Sequence, residues 1–164
     1  MKTLFIGGIK SGKSAHAETY TLKNALTKPY YLATTEFFDL EMSKKVQHHK
    51  LHRGNSFHTI EEALDLHSVI KNKDSIVLVE CISMWINNML FHKNGEKEIL
   101  EHIERIMLDK QSIVFVINDV STTVVSENAL VREFVNINGL VSQHLASQCD
   151  EVYNTVAGIA IKIK

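Results

Sequence analysis

Short apolar runs alternate along the chain with longer segments whose apolar residues recur at helical spacing. The runs at 76–79 (IVLV) and 113–117 (IVFVI) are apolar throughout, which is typical of strands buried on both faces of a sheet. Because such runs alternate with helical segments, the pattern predicts an α/β fold with a mostly parallel sheet and helices on both faces. Ligands bind such sheets at the carboxyl ends of the strands, which here follow Ile6, Ala33, Val79 and Ile117.

The predicted elements follow from the same periodicity and from end signals. One helix is expected to begin at Thr59 and Glu62, which have capping-box spacing, and the last helix is expected to be capped by Ser126. The predicted strands are 3–6, 29–33, 76–79, 113–117, 151–156 and 159–163, and the predicted helices are 13–26, 39–51, 59–70, 83–92, 96–108 and 127–148.

Composition limits the classes of protein that fit this pattern. The chain has 164 residues, 45% of them hydrophobic, which fits a single domain over 1–164 with a substantial core. A formal net charge of −1 supplies no overall field for a nucleic acid or a membrane surface, so we expect neither as a partner. Two distant cysteines and no long apolar segment favour the reducing cytoplasm.

A phosphate-binding motif directly follows the first predicted strand. The residues at 7–14 read GGIKSGKS, a complete G-x4-G-K-S between a strand and a helix. The backbone N–H groups of such a loop converge on an anion, and the helix N-terminus adds positive partial charge. The motif predicts that a nucleoside triphosphate binds to Gly7, Gly8, Ile9, Lys10, Ser11, Gly12, Lys13 and Ser14.

Two side chains are candidates for the magnesium ion that accompanies a nucleoside triphosphate. The Ser14 hydroxyl occupies the motif position that contacts Mg²⁺. Glu80 ends the strand at 76–79, as the acidic residue of a Walker B strand does, and would hold the ion or its water shell. A polar residue that merely ends a strand is the alternative interpretation of Glu80.

A basic, histidine-rich segment at 44–53 reads KKVQHHKLHR and contains no acidic residue. Three interpretations are open from the residues alone. The segment could be a solvated helix face, or a metal site built on His48 and His52 at i,i+4 spacing, although two ligands make a poor zinc set. The third interpretation is a cationic surface around a triphosphate, with one imidazole acting as nucleophile.

Several motifs taken together are more specific than any of them alone. In chain order they are GGIKSGKS, LATTEFFDLEM, QHHK–x2–R, VLVECISMWINNMLF and DEVYNTVAGIAIKIK. This combination resembles the bifunctional adenosylcobinamide kinase/adenosylcobinamide-phosphate guanylyltransferase family of cobalamin biosynthesis, over essentially the whole chain. The resemblance implies a RecA-type P-loop fold, a homotrimer, ATP, GTP and Mg²⁺ as cofactors, and adenosylcobinamide and its phosphate as substrates.

The resemblance also implies roles for individual residues. His48 falls on the histidine that carries GMP covalently between the two half-reactions. The further positions implied to contact the nucleotide are Thr34, Thr35, His49, Lys50, Leu51, His52, Glu61 and Glu80.

The chain departs from the family pattern in the segment after the fourth predicted strand. Residues 118–126 read NDVSTTVVS where the family has a loop like NEVG–x–GIVP, so two glycines and a proline are absent. This loop follows a strand near the phosphate site, where a second substrate would bind. Two alternatives therefore accompany the family assignment: a P-loop kinase or nucleotidyltransferase for another acceptor, and a non-catalytic NTP-binding paralogue.

Overall fold

The secondary structure is given by a computed structural model, which describes residues 1–36, 55–121 and 124–164. The helix predicted over 39–51 lies outside these ranges. The strands are β1 (Lys2–Gly7), β2 (Tyr30–Ala33), β3 (His58–Glu61), β4 (Val77–Glu80), β5 (Ile113–Asn118), β6 (Glu151–Val156) and β7 (Ile159–Lys162). The helices are α1 (Lys13–Asn24), α2 (Leu66–Ile70), α3 (Ile82–Phe91), α4 (Glu96–Leu108) and α5 (Ala129–Gln148).

The strands form one sheet in the order β3-β2-β4-β5-β1-β6-β7. All neighbouring strands are parallel except β6 and β7, which form an antiparallel hairpin at one edge. β1 lies between β5 and β6, so the phosphate motif that follows β1 is near the centre of the carboxyl edge. The predicted α/β class with a mostly parallel sheet is confirmed.

The core has two parts because side chains alternate between the two faces of each strand. On one face, Phe5, Leu78 and Val116 pack with Ala17 of α1. On the other, Leu4 and Phe115 pack with apolar residues of α2, α3, α4 and α5. Helices therefore cover both faces, as the uninterrupted apolar strands predicted. None of the helices in the described ranges is long and apolar enough to cross a membrane.

The predicted helix start at Thr59 and Glu62 is wrong. Residues 58–61 form the edge strand β3, and the helix in this region is only α2. The Glu62 carboxylate accepts hydrogen bonds from the backbone N–H groups of Leu64 and Asp65, so it closes the turn that follows the strand. Asp65 caps α2 instead, because its carboxylate accepts from the Ser68 backbone N–H at 3.3 Å.

The cap predicted for the last helix is also wrong by two residues. Asn128 is the N-cap of α5, and its side-chain oxygen accepts from the Leu130 backbone N–H at 2.9 Å. The Ser126 hydroxyl oxygen instead accepts from the backbone N–H of Asn128 itself, at 3.2 Å, two residues before the cap interaction. Both side chains are suitable caps, so the sequence alone does not distinguish them.

A buried histidine joins α2 to α4. His102 is 5% exposed and lies against the Trp85 ring. Its Nε2 lies 3.3 Å from the His67 backbone nitrogen, and its Nδ1 lies 3.1 Å from the Arg105 guanidinium. Burial, and then the charge of Arg105, lower the pKa of His102 to about 4. The imidazole is therefore neutral in the folded protein at neutral pH.

We expect His102 to make folding stability depend on pH. The unfolded chain binds a proton at His102 near pH 6.5, whereas the folded chain does so only near pH 4, so stability falls as pH drops through this window. The loss between pH 7 and pH 5 should be about 2 kcal/mol from this residue. Urea unfolding of wild type and His102→Gln at both pH values measures it. Equal pH sensitivity in the two proteins would contradict the assignment, and His58→Gln, at an exposed position, is the matched control.

Candidate nucleotide-binding site

The phosphate loop connects β1 to α1, and its backbone requires glycine at two positions, Gly7 and Gly12. Gly12 has φ +94°, and a Cβ at Gly7 would clash with the Thr155 carbonyl oxygen. The neighbouring strand β6 therefore leaves no room for a side chain at Gly7. The eight predicted residues run from Gly7, the last residue of β1, through the loop to Lys13 and Ser14, the first two residues of α1.

Lys13 lies along the inside of this loop. Its side chain is largely buried, at 7% exposure of the residue, and its ammonium donates to the Gly8 carbonyl oxygen at 3.2 Å. A buried cation is costly unless an anion or several acceptors surround it. Triphosphate oxygens held by the loop N–H groups would supply that charge, so this arrangement fits a nucleotide.

Ser14 and Glu80 are 66 residues apart in sequence and meet in the fold. The Ser14 hydroxyl donates to Glu80 Oε1 at 2.8 Å. They meet because β4 and β1 each end at the carboxyl edge, with only β5 between them. A hydroxyl and a carboxylate are oxygen ligands of the kind that Mg²⁺ prefers, so the pair fits the ion beside a bound triphosphate.

The turn between β6 and β7 packs against the phosphate loop and is hydrogen-bonded to it. The Gly158 backbone N–H donates to the Ser11 carbonyl oxygen at 2.8 Å, and His16 Nε2 donates to the Gly158 carbonyl oxygen at 2.8 Å. A Cβ at Gly12 would lie only 3.3 Å from the Gly158 Cα. The sequence predicted this turn but not its contact with the loop, since that contact depends on β6 lying beside β1.

Thr34 lies beneath the site. It is fully buried, and its hydroxyl donates to the Cys81 carbonyl oxygen at 2.8 Å and accepts from the Cys81 backbone N–H at 2.9 Å. These bonds fix the backbone directly after Glu80. Thr34 therefore positions the acidic residue, while the nucleotide contact predicted for it stays a prediction.

The remaining predicted nucleotide contacts are divided between described and undescribed residues. Thr35 directly follows Thr34, and Glu61 ends β3 beside Ala33, so both lie at the carboxyl edge. The predicted nucleophile His48 lies outside the described residues, as do His49, Lys50, Leu51 and His52.

Cys81 is the residue next to Glu80 and could be mistaken for a nucleophile. Burial, followed by the charge of Glu80, raises the pKa of its thiol to about 11. The thiol is therefore protonated at neutral pH and a poor nucleophile. Among the described residues, no group of three or more histidine, cysteine, aspartate or glutamate side chains forms a metal site.

A buried polar network at the same edge was not predicted. The Ser83 hydroxyl donates to Asn138 Oδ1 at 2.7 Å and accepts from the Asn118 backbone N–H at 2.9 Å. Asn138 Nδ2 in turn donates to the Asn118 carbonyl oxygen at 3.0 Å. The network fixes the end of β5 against α3 and α5. The only sequence signal is the isolated polar residue on each apolar element.

The fold and the site define the class of the protein. A parallel sheet whose central strand leads through a G-x4-G-K-S loop into a helix, with an acidic residue at a nearby strand end, is a P-loop nucleotide-binding fold. The flagellar accessory protein FlaH from Methanocaldococcus jannaschii shares this fold, with a TM-score of 0.54 at 15% identity over 99% of this chain and 77% of that one.

The family follows from sequence similarity over nearly the full length. The family model described as "Cobinamide kinase / cobinamide phosphate guanyltransferase" matches residues 3–163. The chain belongs to this family, which confirms the resemblance seen in its motifs.

Three curated relatives align with the whole chain. They are the bifunctional adenosylcobalamin biosynthesis proteins CobU of Escherichia coli (33% identical) and of Salmonella typhimurium (36%), each covered completely, and CobP of Pseudomonas aeruginosa (31%), covered to 98%.

Proposed function

We propose that the protein is a bifunctional enzyme of cobalamin biosynthesis, which phosphorylates adenosylcobinamide and then transfers GMP from GTP to the product. The observation that carries this proposal is the family match over 3–163 together with the assembled phosphate site. The geometry of Lys13, Ser14 and Glu80 supports nucleotide binding, and turnover separates the enzyme from a paralogue that only binds NTP.

In the kinase reaction, the hydroxyl oxygen of adenosylcobinamide attacks the γ-phosphorus of ATP or GTP. The bond from that phosphorus to the β–γ bridging oxygen breaks, the nucleoside diphosphate leaves, and the hydroxyl proton passes to solvent. Lys13 and the loop N–H groups hold the phosphates and balance the charge that develops on them. Ser14 and Glu80 would hold Mg²⁺, which supplies further charge neutralisation when bound.

In the guanylyltransferase reaction, His48 is the proposed nucleophile. A neutral imidazole nitrogen attacks the α-phosphorus of GTP, and pyrophosphate leaves. An oxygen of adenosylcobinamide phosphate then attacks the same phosphorus and displaces the histidine, which regenerates the free imidazole. The basic residues of 44–53 supply the positive charge that a triphosphate requires. His49, Lys50, Leu51 and His52 are proposed to contact GTP, together with Thr34, Thr35 and Glu61.

We extend the proposal to the oligomeric state and the cellular location of the protein. We infer a cytoplasmic homotrimer with one catalytic domain per chain. The formal net charge of each chain is only −1, which offers little repulsion to self-association. Adenosylcobinamide and its phosphate are the proposed small-molecule partners.

Turnover with purified protein tests the proposal. With MgATP, MgGTP and adenosylcobinamide, we expect adenosylcobinamide phosphate first and its GDP derivative second, each resolved by chromatography and identified by mass. Residues 118–126 lack the glycines that the family pattern has there. We therefore expect the rate of phosphorylation of adenosylcobinamide to be reduced more than the rate of guanylylation, when each is compared with that of a family member that has the glycines. GTP binding with neither product would instead favour the non-catalytic paralogue.

A further inference from the structure

A cavity of about 510 Å³ lies between the end of α3, the start of α4 and the first turns of α5. Its walls combine the apolar side chains of Leu90, Phe91, Leu130 and Phe134 with the amides of Asn87 and Asn94 and with two charged residues, Lys93 and Glu133. This volume falls in the range of small-molecule sites, which span roughly 300–1,000 Å³, and the wall offers both apolar surface and hydrogen-bonding groups.

The cavity opens on the same edge of the sheet as the phosphate loop. Lys2, which begins β1, bonds to the residues just after α4 and α5: its ammonium donates to the Asp109 carbonyl oxygen, and its carbonyl oxygen accepts from the Asp150 backbone N–H. Both helices therefore end at the amino edge and begin at the carboxyl edge, where the cavity lies. α3 connects the phosphate site to the cavity, since it begins two residues after Glu80 and ends at the cavity.

Two of the apolar residues at the cavity are mostly exposed. Phe91 is 66% exposed and Leu130 is 73% exposed, although both contribute to its wall. A ligand that covers large apolar side chains removes their surface from water, which stabilises the complex. Asn87 is also exposed there, and its amide can both donate and accept hydrogen bonds.

We propose that this cavity binds the corrin ring of adenosylcobinamide, an inference that rests on the function proposed above. The apolar faces and methyl groups of a corrin would pack on Phe91 and Leu130. The carboxamides around its rim would exchange hydrogen bonds with the amides of Asn87 and Asn94.

The distance between the cavity and the phosphate loop suits this substrate. The reacting hydroxyl of adenosylcobinamide is at the end of a flexible arm, outside the ring. The ten residues of α3 span about 15 Å, and a ring radius plus an arm of several bonds covers a distance of this order. The ring therefore stays at the cavity while its arm reaches the phosphate loop, and the loop needs no space for a macrocycle.

A double variant, Phe91→Ser with Leu130→Ser, tests the inference. Both side chains are mostly exposed, so we expect the melting temperature and the MgGTP affinity to stay at wild-type values. We expect the Kd for adenosylcobinamide, measured by equilibrium dialysis from corrin absorbance, to rise by about tenfold or more. Leu26→Ser is the matched control, because Leu26 is a fully exposed leucine just after α1 and away from the cavity.

Three results would overturn the inference: wild type that does not bind adenosylcobinamide, a double variant that binds it as tightly as wild type does, and a double variant whose mass by light scattering falls below that of wild type. The last result would mean that a second copy of the chain covers this surface. Failure of the proposed function has a different signature: wild type binds adenosylcobinamide and the double variant does not, yet wild type forms no phosphorylated product.

Discussion

Lys13→Ala is expected to remove detectable binding of MgGTP and MgATP, with a rise in Kd of at least about 100-fold. The ammonium is buried inside the phosphate loop and lies 3.2 Å from the Gly8 carbonyl oxygen. Hydrogen bonds from a buried cation to phosphate oxygens are charge-assisted and partly shielded from water, so their loss is costly. Isothermal titration calorimetry of the variant with each nucleotide measures the effect.

The same variant should fold as wild type does. Within the described residues, the side-chain nitrogen of Lys13 bonds only to the loop itself, so its removal leaves both parts of the core intact. Lys23→Ala is the matched control, because Lys23 is an exposed lysine of the same helix. Nucleotide affinity unchanged by Lys13→Ala would remove the physical basis for a phosphate site. A large fall in melting temperature would instead show that Lys13 supports the fold.

The buried part of the fold was predictable because it leaves a strong pattern in the sequence. The strands at 77–80 and 113–118 are apolar up to their last residues, Glu80 and Asn118, and apolar positions recur through α4 at helical spacing. β3 has neither signal, since His58, Thr59 and Glu61 are exposed at the edge of the sheet. A polar edge strand gains its stability from backbone pairing with β2, which side-chain periodicity does not reveal.

In the candidate site too, local features were predictable from the sequence, and most contacts between distant segments were not. The phosphate loop is contiguous in sequence, so its motif predicts its geometry. The meeting of Ser14 and Glu80 was also predictable, because the carboxyl ends of parallel strands share one edge. The support that Gly158 gives to the loop was not predictable, because it depends on the strand order in the sheet.

His48→Ala is expected to abolish the covalent labelling of the protein by GTP. Wild type incubated with MgGTP carrying a label at the α-phosphate should retain one GMP per chain, bound through nitrogen. A neutral imidazole forms such an adduct when it attacks the α-phosphorus and pyrophosphate leaves. A phosphoramidate is lost in acid and persists in alkali, which distinguishes it from a serine ester. Measurement of the retained label after each treatment tests both the stoichiometry and the type of bond.

Two controls separate the nucleophile from its neighbours and from the phosphate site. His49→Ala should weaken labelling but leave some, since His49 is proposed to contact GTP and not to attack it. GTP labelled only at the γ-phosphate should leave nothing on the protein, because that phosphate departs with pyrophosphate. Label that persists in His48→Ala, or that arises equally from the γ-phosphate, would exclude guanylyl transfer through this histidine. Lys13→Ala should also lose the label, but through loss of GTP binding, whereas His48→Ala should still bind GTP; nucleotide affinity therefore tells the two defects apart.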